Sequence, residues 1–179
     1  MTGARPRYVK QVRVGAALSV VGLGLILLWG NVTDVQSASN PAEFIKATLN
    51  HDNSLRLASW ADILIFVPGY TLLILGLLGR IVSGDGVLSC VRRGTAVGRV
   101  VIVAAAVADQ VENVLVRLAI GNVDLTAGGP SDVVDPSDSL ISALHAAYLT
   151  KTALLGTTVF ILVGLTVRAW WNRRRIARS

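Results

Sequence analysis

The residues of this chain that could carry chemistry are polar and charged side chains inside otherwise apolar stretches. The sharpest group is Asp109, Glu112 and Asn113, at positions i, i+3 and i+4. This spacing puts all three on one side of a helix. A charge at the centre of a bilayer costs about 2.5–3.5 kcal/mol on insertion scales, so such side chains normally face a helix bundle and find partners there. We therefore expect this helix face to point inward.

Two other apolar stretches carry similar stripes. Asp62, Phe66 and Tyr70 are four residues apart in one of them, and polar residues recur every three positions from His145 in the other. Three stripes that turn inward would form one polar pocket, open toward the outer face of the membrane. The candidates for binding a ligand or a proton are Asp62, Tyr70, Asp109, Glu112, Asn113, His145, Tyr148 and Lys151.

The balance of charge in this group is uneven, because three acids face two bases, Arg117 and Lys151. If all five are buried, one acid lacks a basic partner and becomes a candidate to exchange a proton near neutral pH. We expect that acid to be Glu112 or Asp109. In the structural alternative, Lys151 only pins two helices together, Arg117 reaches the outer interface, and Asp62 faces water.

Motifs for enzyme chemistry are absent from the sequence. The two histidines, His51 and His145, lack a metal-binding spacing. There is no nucleophile elbow, phosphate-binding loop or dinucleotide fingerprint. The lone cysteine, Cys90, has no triad around it and cannot form an internal disulfide. We predict no catalytic residue, no metal and no cofactor, and we expect a protein that is not an enzyme.

The elements that position these residues are long apolar helices. Hydrophobic residues make up 53% of the 179 residues and charged residues only 16%, against about 25% in soluble domains. About 20 helical residues cross the hydrocarbon layer. The prediction is an all-α, polytopic membrane protein, a single four-helix transmembrane bundle over residues 1–179. Its spans lie at about 12–31, 60–80, 99–120 and 144–170, with outer loops at 32–59 and 121–143.

Basic residues set the predicted orientation. Thirteen arginines and lysines lie before the first span, between the second and third, or from Arg168 onward, whereas the outer loops hold only Lys46 and Arg56. Such an excess marks the cytoplasmic side, so both termini are expected in the cytoplasm and the protein in the cell membrane. The arginine-rich, lysine-poor composition is typical of GC-rich bacterial genomes. Trp60, Arg117 and Trp170 are expected to anchor the spans at the interfaces.

The expected partners are membrane lipids. Because the basic segments adjoin apolar blocks without interleaved aromatic residues, nucleic acid is not expected. Glycines within the spans would allow close helix contacts, within the chain or in a homo- or hetero-oligomer. A short outer helix is predicted over about 41–49, since Asn40, Pro41 and Glu43 form a helix start.

Three functions remain open from the sequence. The first is a bundle that binds a small ligand or a lipid, or an accessory subunit of a larger assembly. The second is a proton-coupled transporter of small molecules. The third is a membrane-embedded enzyme that modifies a lipid, in which carboxylates near His145 and Tyr148 would do acid–base work.

Overall fold

The computed structural model describes residues 4–29, 52–83, 89–122 and 137–176, and nearly all of them are helical. Helix α1 spans Ala4–Trp29 and α2 spans Asp52–Ala61. A π-helical segment, Asp62–Phe66, continues directly into α3, Val67–Val82. Helix α4 spans Ser89–Asn122 and α5 spans Asp138–Ile176. The predicted helix over 41–49 lies outside the described residues.

Helix α1 packs antiparallel to α3 through glycines. A Cβ atom on Gly15 would come within 2.8 Å of the Gly69 carbonyl oxygen, and a Cβ on Gly69 within 2.6 Å of the Ser19 nitrogen. Only glycine permits two backbones to approach this closely. The expected close contacts are therefore found between α1 and α3. By contrast, Gly24, Gly156 and Gly164 have no atom within 4 Å of such a Cβ.

The π-helical segment has a local cause in Pro68. The Val67 N–H donates to the Asp62 carbonyl, five residues back, rather than to Ile63. In this register the Ile63 carbonyl would pair with the N–H of residue 68, which proline lacks. The Gln110 side chain of α4 donates to that carbonyl instead, at 3.2 Å. A side chain of a neighbouring helix thus satisfies the carbonyl that Pro68 leaves free.

Helix α4 packs antiparallel on both α3 and α5, and α5 also contacts α3. Val67, Tyr70, Ile102 and Ala105 form one buried cluster of this contact. A second cluster contains Leu78, Val91 and Leu165. Ser137 caps α5, because its hydroxyl and carbonyl oxygens both accept the Leu140 N–H.

The helices extend beyond the predicted spans. Helix α4 begins ten residues before position 99, so Arg92 and Arg93 lie in its first turns and not in a connection. Helix α5 likewise begins before 144 and ends after 170. The spans were predicted from apolar runs alone, but a helix can continue past the hydrocarbon layer wherever no proline or glycine pair interrupts it.

Three of the described helices are long and apolar enough to cross a membrane, over Arg7–Leu28, Leu57–Val82 and Asp138–Asn172. Helix α4 has 34 residues, a length of roughly 51 Å at 1.5 Å per residue. Its internal charges keep its hydropathy below that of the other three. The structure therefore shows an all-helical chain with three apolar helices of membrane-spanning length.

Candidate functional site

The polar residues of α4 face inward, as their spacing predicts. Asp109 is 2% exposed, and both Glu112 and Asn113 are fully buried. The opposite side of the helix shows Val103, Val107, Val111, Val114 and Leu118, each about half exposed. The helix is thus polar toward its neighbours and apolar toward its surroundings, the reverse of a helix on the surface of a soluble protein.

Three helices meet around a lysine. The Lys151 ammonium of α5 lies 3.2 Å from Asp109 Oδ1 and 2.6 Å from Glu112 Oε2, the latter without hydrogen-bond alignment. The Tyr70 hydroxyl of α3 donates to Asp109 Oδ2 at 2.8 Å. We call Tyr70, Asp109, Glu112 and Lys151 the lysine group. It joins α3, α4 and α5 through side chains that are at most 12% exposed.

Asn113 lies one helical turn beyond Asp109, toward the C-terminal end of α4. It binds Asp62, the acid of the second polar stripe. Its amide Nδ2 donates to Asp62 Oδ2 at 2.9 Å, and Asp62 is 7% exposed. Asp62 is the first residue of the π-helical segment. We call these two residues the Asp62–Asn113 pair. It lies beside the lysine group because Asn113 directly follows Glu112.

Arg117 does not join the acids in the described structure. Its Nε donates to the Ser59 hydroxyl at 3.2 Å, and its guanidinium lies 3.5 Å from the centre of the Trp60 ring. Half of Trp60 is exposed. At the far end of α5, the Arg174 guanidinium lies 3.8 Å from the Trp170 ring. The three residues expected to be interface anchors therefore all take part in cation–π contacts.

The charge imbalance is larger than the sequence suggested. The described side chains of the cluster comprise three buried carboxyl groups and one ammonium, that of Lys151, because Arg117 turns away to Trp60. Taking an ionised carboxylate out of water costs several kcal/mol unless a partner offsets it. Within the described helices, Asp62 has only a neutral amide as a partner. Fully ionised, this set would carry two uncompensated negative charges.

Some buried polar atoms in and near the cluster have no hydrogen-bond partner among the described residues. They are Glu112 Oε1, Asn113 Oδ1, Arg117 Nη2 and His145 Nδ1. Buried polar groups are paired in the great majority of cases, so unpaired ones indicate strain, water, a proton or a ligand. The Glu112 and Asn113 atoms are acceptors on neighbouring residues of one helix. This part of the cluster can therefore accept hydrogen bonds or positive charge.

Of the two remaining predicted site residues, Tyr148 stands at the edge of the cluster, and His145 lies six residues before Lys151 on α5. The Tyr148 ring centre lies 5.7 Å from the Lys151 ammonium. His145 is partly buried. Sequence reasoning missed two contributors, Ser59 and Gln110. Their signal was present, since Ser59 lies three residues before Asp62 and Gln110 adjoins Asp109. Within the described residues, no group of three or more His, Cys, Asp or Glu side chains could hold a metal ion.

A cavity of about 690 Å³ lies between α3 and α4, beside the cluster and not within it. Its walls are apolar except for Thr71 and Gln110, and both side chains are engaged, with the Val67 and Ile63 carbonyls. The acids and Lys151 do not line it. Of the residues predicted to surround a polar pocket, those of the lysine group contact one another, and so do Asp62 and Asn113.

No protein-family model, curated protein or solved structure matches this chain.

Proposed function

We propose that this chain is an integral membrane protein with four spans, and that α4 is the third of them. The support comes from α4's neighbours. It runs antiparallel to α2 and α3, which form one continuous helical stretch. Gly98 lies beside Leu78 of α3, and Arg117 lies beside Ser59 of α2. It also runs antiparallel to α5 from Gly94 to Glu112. If α3 and α5 lie in lipid, α4 must lie at the same depth, with its apolar side outward.

The proposed orientation places the N terminus, the connection between α3 and α4, and the C terminus in the cytoplasm. Basic residues concentrate at the helix ends that adjoin these three segments, as the positive-inside rule requires. The lysine group and the Asp62–Asn113 pair then lie between the middle of the membrane and its outer surface. Lipids of the cell membrane would cover the exposed apolar faces, such as Phe160, which is 81% exposed.

The function proposed for the polar cluster is binding of a small positively charged ligand, a proton or an organic ammonium ion. One observation carries this proposal: the described part of the cluster holds three buried carboxyl groups but only one ammonium, that of Lys151, which contacts Asp109 and Glu112. Positive charge is what the site lacks, and Glu112 Oε1 and Asn113 Oδ1 are acceptors without a donor among the described residues. A neutral or anionic ligand would leave the excess charge in place.

A ligand that binds only the folded state raises its stability. The proposal is tested by following chemical unfolding of the purified protein in lipid nanodiscs, over a range of pH and with methylammonium chloride added. We expect acidification, methylammonium or both to raise the unfolding midpoint of the wild type. The double variant Asp62→Asn/Glu112→Gln, which removes the excess negative charge, should lose this response.

Two controls sharpen the experiment. Sodium chloride at equal ionic strength separates binding from screening. Asp138→Asn changes an exposed acid outside the cluster and should keep the full wild-type response. A wild-type midpoint that moves with neither pH nor methylammonium, or a double variant that still responds fully, would overturn the proposal.

A second candidate function is proton-coupled transport. It is favoured by the π-helical segment, which interrupts the second span at the acidic residue Asp62. Irregular helix segments at binding residues are characteristic of transporters and of functional sites generally. Its test is movement of protons or organic cations into liposomes that contain the purified protein. We expect flux that Glu112→Gln abolishes, and its absence from wild-type liposomes would leave only the binding function.

A further inference from the structure

We infer that Asp62 and Asn113 form a proton-binding pair, in which a protonated Asp62 and the Asn113 amide exchange two hydrogen bonds. This inference rests on the proposed function, because it identifies one occupant of the cluster and the atoms that hold it. The lysine group provides a different environment, since its acids share an ammonium.

The first support is the half of this arrangement that the structure already contains. Asn113 Nδ2 donates to Asp62 Oδ2 at 2.9 Å. An amide and a carboxyl group that share one such bond can bring their remaining oxygens together. The remaining amide oxygen, Asn113 Oδ1, is buried and has no hydrogen-bond partner in the described part of the chain. It is an acceptor placed beside a carboxyl group.

The chemistry of the step is protonation alone. Asp62 takes up one proton on the oxygen that does not receive the Asn113 N–H, and its carboxylate becomes a neutral carboxylic acid. The new O–H donates to Asn113 Oδ1. No other bond breaks and no co-reactant is needed. The proton removes one buried charge and provides the unpaired amide oxygen with a donor, so both unfavourable features are corrected together.

Among the side chains that the structure describes, none near Asp62 provides an alternative counter-ion. The neighbouring part of α1, from Val14 to Leu28, contains no titratable residue. In α2 the described neighbours are uncharged, and α3 contributes only the Tyr70 hydroxyl, which donates to Asp109. Helix α4 contributes two more acids, Asp109 and Glu112, and an arginine that turns to Trp60. Lys151 of α5 contacts those two acids.

The π-helical segment fixes the position of Asp62. An ordinary α-helical register would rotate Asp62 relative to α3 and would release the Gln110 side chain from the Ile63 carbonyl. Since Gln110 and Asn113 both lie on α4, the same helix holds the irregular backbone and receives the carboxyl group. The site is thus built from two connected contacts between the second and third spans.

The test compares three variants in lipid nanodiscs. Asp62→Asn can replace the acid–amide pair with an amide–amide pair that keeps both hydrogen bonds but cannot titrate. Asn113→Leu removes the amide. Glu112→Gln removes the other candidate proton site and leaves Asp62 in place. Each is followed by chemical unfolding across pH and by the carboxylic acid C=O stretch in the infrared spectrum.

The expected wild-type behaviour is a loss of stability as pH rises from the ordinary titration range of a carboxyl group to the point at which folded Asp62 releases its proton. Over that range the folded state holds one proton more than the unfolded state, so the unfolding equilibrium changes about tenfold per pH unit. Asp62→Asn should lack this component and the corresponding infrared band, while remaining as stable as the wild type at low pH. Glu112→Gln should retain both.

Asn113→Leu should shift the infrared band, because the acid O–H loses its acceptor. The inference is overturned if Asp62→Asn keeps the full pH response and all acid bands. If Glu112→Gln alone abolishes the pH response, the proposed binding function stands and only the assignment to Asp62 fails. If the wild type shows no pH response and no binding of methylammonium, the proposed function fails as well.

Discussion

The contact between α1 and α3 and the contact among α3, α4 and α5 use different chemistry. The first is made by glycines that bring two backbones together, at Gly15 and Gly69. The second is made around Tyr70, Asp109 and Lys151, whose polar atoms bond across three helices. The same helix, α3, takes part in both contacts.

If the helices lie in the membrane as proposed, the difference corresponds to two ways in which helices can associate in lipid. Lipid tails are as apolar as the side chains, so helices gain little from hiding apolar surface from lipid. Close packing of small residues and hydrogen bonds between polar side chains remain. The close glycine contact between α1 and α3 has only one arrangement of its atoms. A contact with excess charge can change its state by taking up a proton, and we therefore assign function to the second.

The largest expected effect is that of removing the shared cation. Lys151→Met leaves Asp109 and Glu112 buried without their ammonium, and breaking a buried ion pair in this way costs about 3–5 kcal/mol. Unfolding in mixed micelles would measure the loss. The triple variant Lys151→Met/Asp109→Asn/Glu112→Gln, which leaves no charge within the lysine group, should recover most of the stability. If Lys151→Met were as stable as the wild type, the lysine group would not be buried within the membrane.

The second effect tests the glycine contact. Gly15→Val places a side chain against the Leu73 backbone and the Gly69 carbonyl, and overpacking of this kind costs about 1–3 kcal/mol. The matched control is Gly24→Val on the same helix, where no atom lies within 4 Å of a Cβ. The control should unfold like the wild type in the same assay. Equal stability of the two variants would contradict the described α1–α3 packing.

A smaller effect is expected at the π-helical segment. Gln110→Leu leaves the Ile63 carbonyl without its donor, a loss of about 1 kcal/mol for one hydrogen bond. In a Pro68→Ala background, the backbone regains an N–H in this turn. The cost of Gln110→Leu should therefore shrink there, as a double-mutant cycle would measure. Equal costs in the two backgrounds would mean that Pro68 is not the reason for the Gln110 contact.

The smallest effect is expected for the contact between Arg117 and the Trp60 ring. Trp60→Leu keeps an apolar residue but removes the ring beneath the Arg117 guanidinium, at a cost of about 0.5–1 kcal/mol. Arg117→Lys in the same assay should lose a similar amount, because a lysine cannot stack in the same way. If Trp60→Leu alone is neutral, Arg117 is held by Ser59 and not by the ring.

The sequence predicted the inward face of α4 because i, i+3 and i+4 spacing determines which side chains share a side of a helix. It also grouped Asp62, Asp109 and Lys151, because each lies on a polar stripe that was expected to turn inward. All three contribute to the cluster. The helix ends were less predictable, since hydropathy marks the membrane and not the helix.

Other features of the site depended on side-chain geometry that spacing alone does not give. The sequence could not decide between Asp109 and Glu112 as the partner of Lys151, and the lysine contacts both. Arg117 turned to Trp60, which reduced the bases among the acids to one. The π-helical segment was missed because Pro68 signals an irregularity but not its form. The sequence therefore did not distinguish Gln110 from the other polar residues of α4.

The central claim is that α4 crosses the membrane and carries its acids into the lipid. Thiol labelling with a membrane-impermeant maleimide tests it directly. Cys90 is the single cysteine and is exposed near the start of α4. Ser139→Cys and Arg175→Cys, each in a Cys90→Ser background, report the two ends of α5 at exposed positions.

We predict that Ser139→Cys is labelled in intact cells, whereas Cys90 and Arg175→Cys are labelled only after the cells are opened. Labelling of Cys90 and Ser139→Cys from the same side, with Arg175→Cys on the other, would contradict the account. That result would place α4 outside the bilayer and its acids within reach of water.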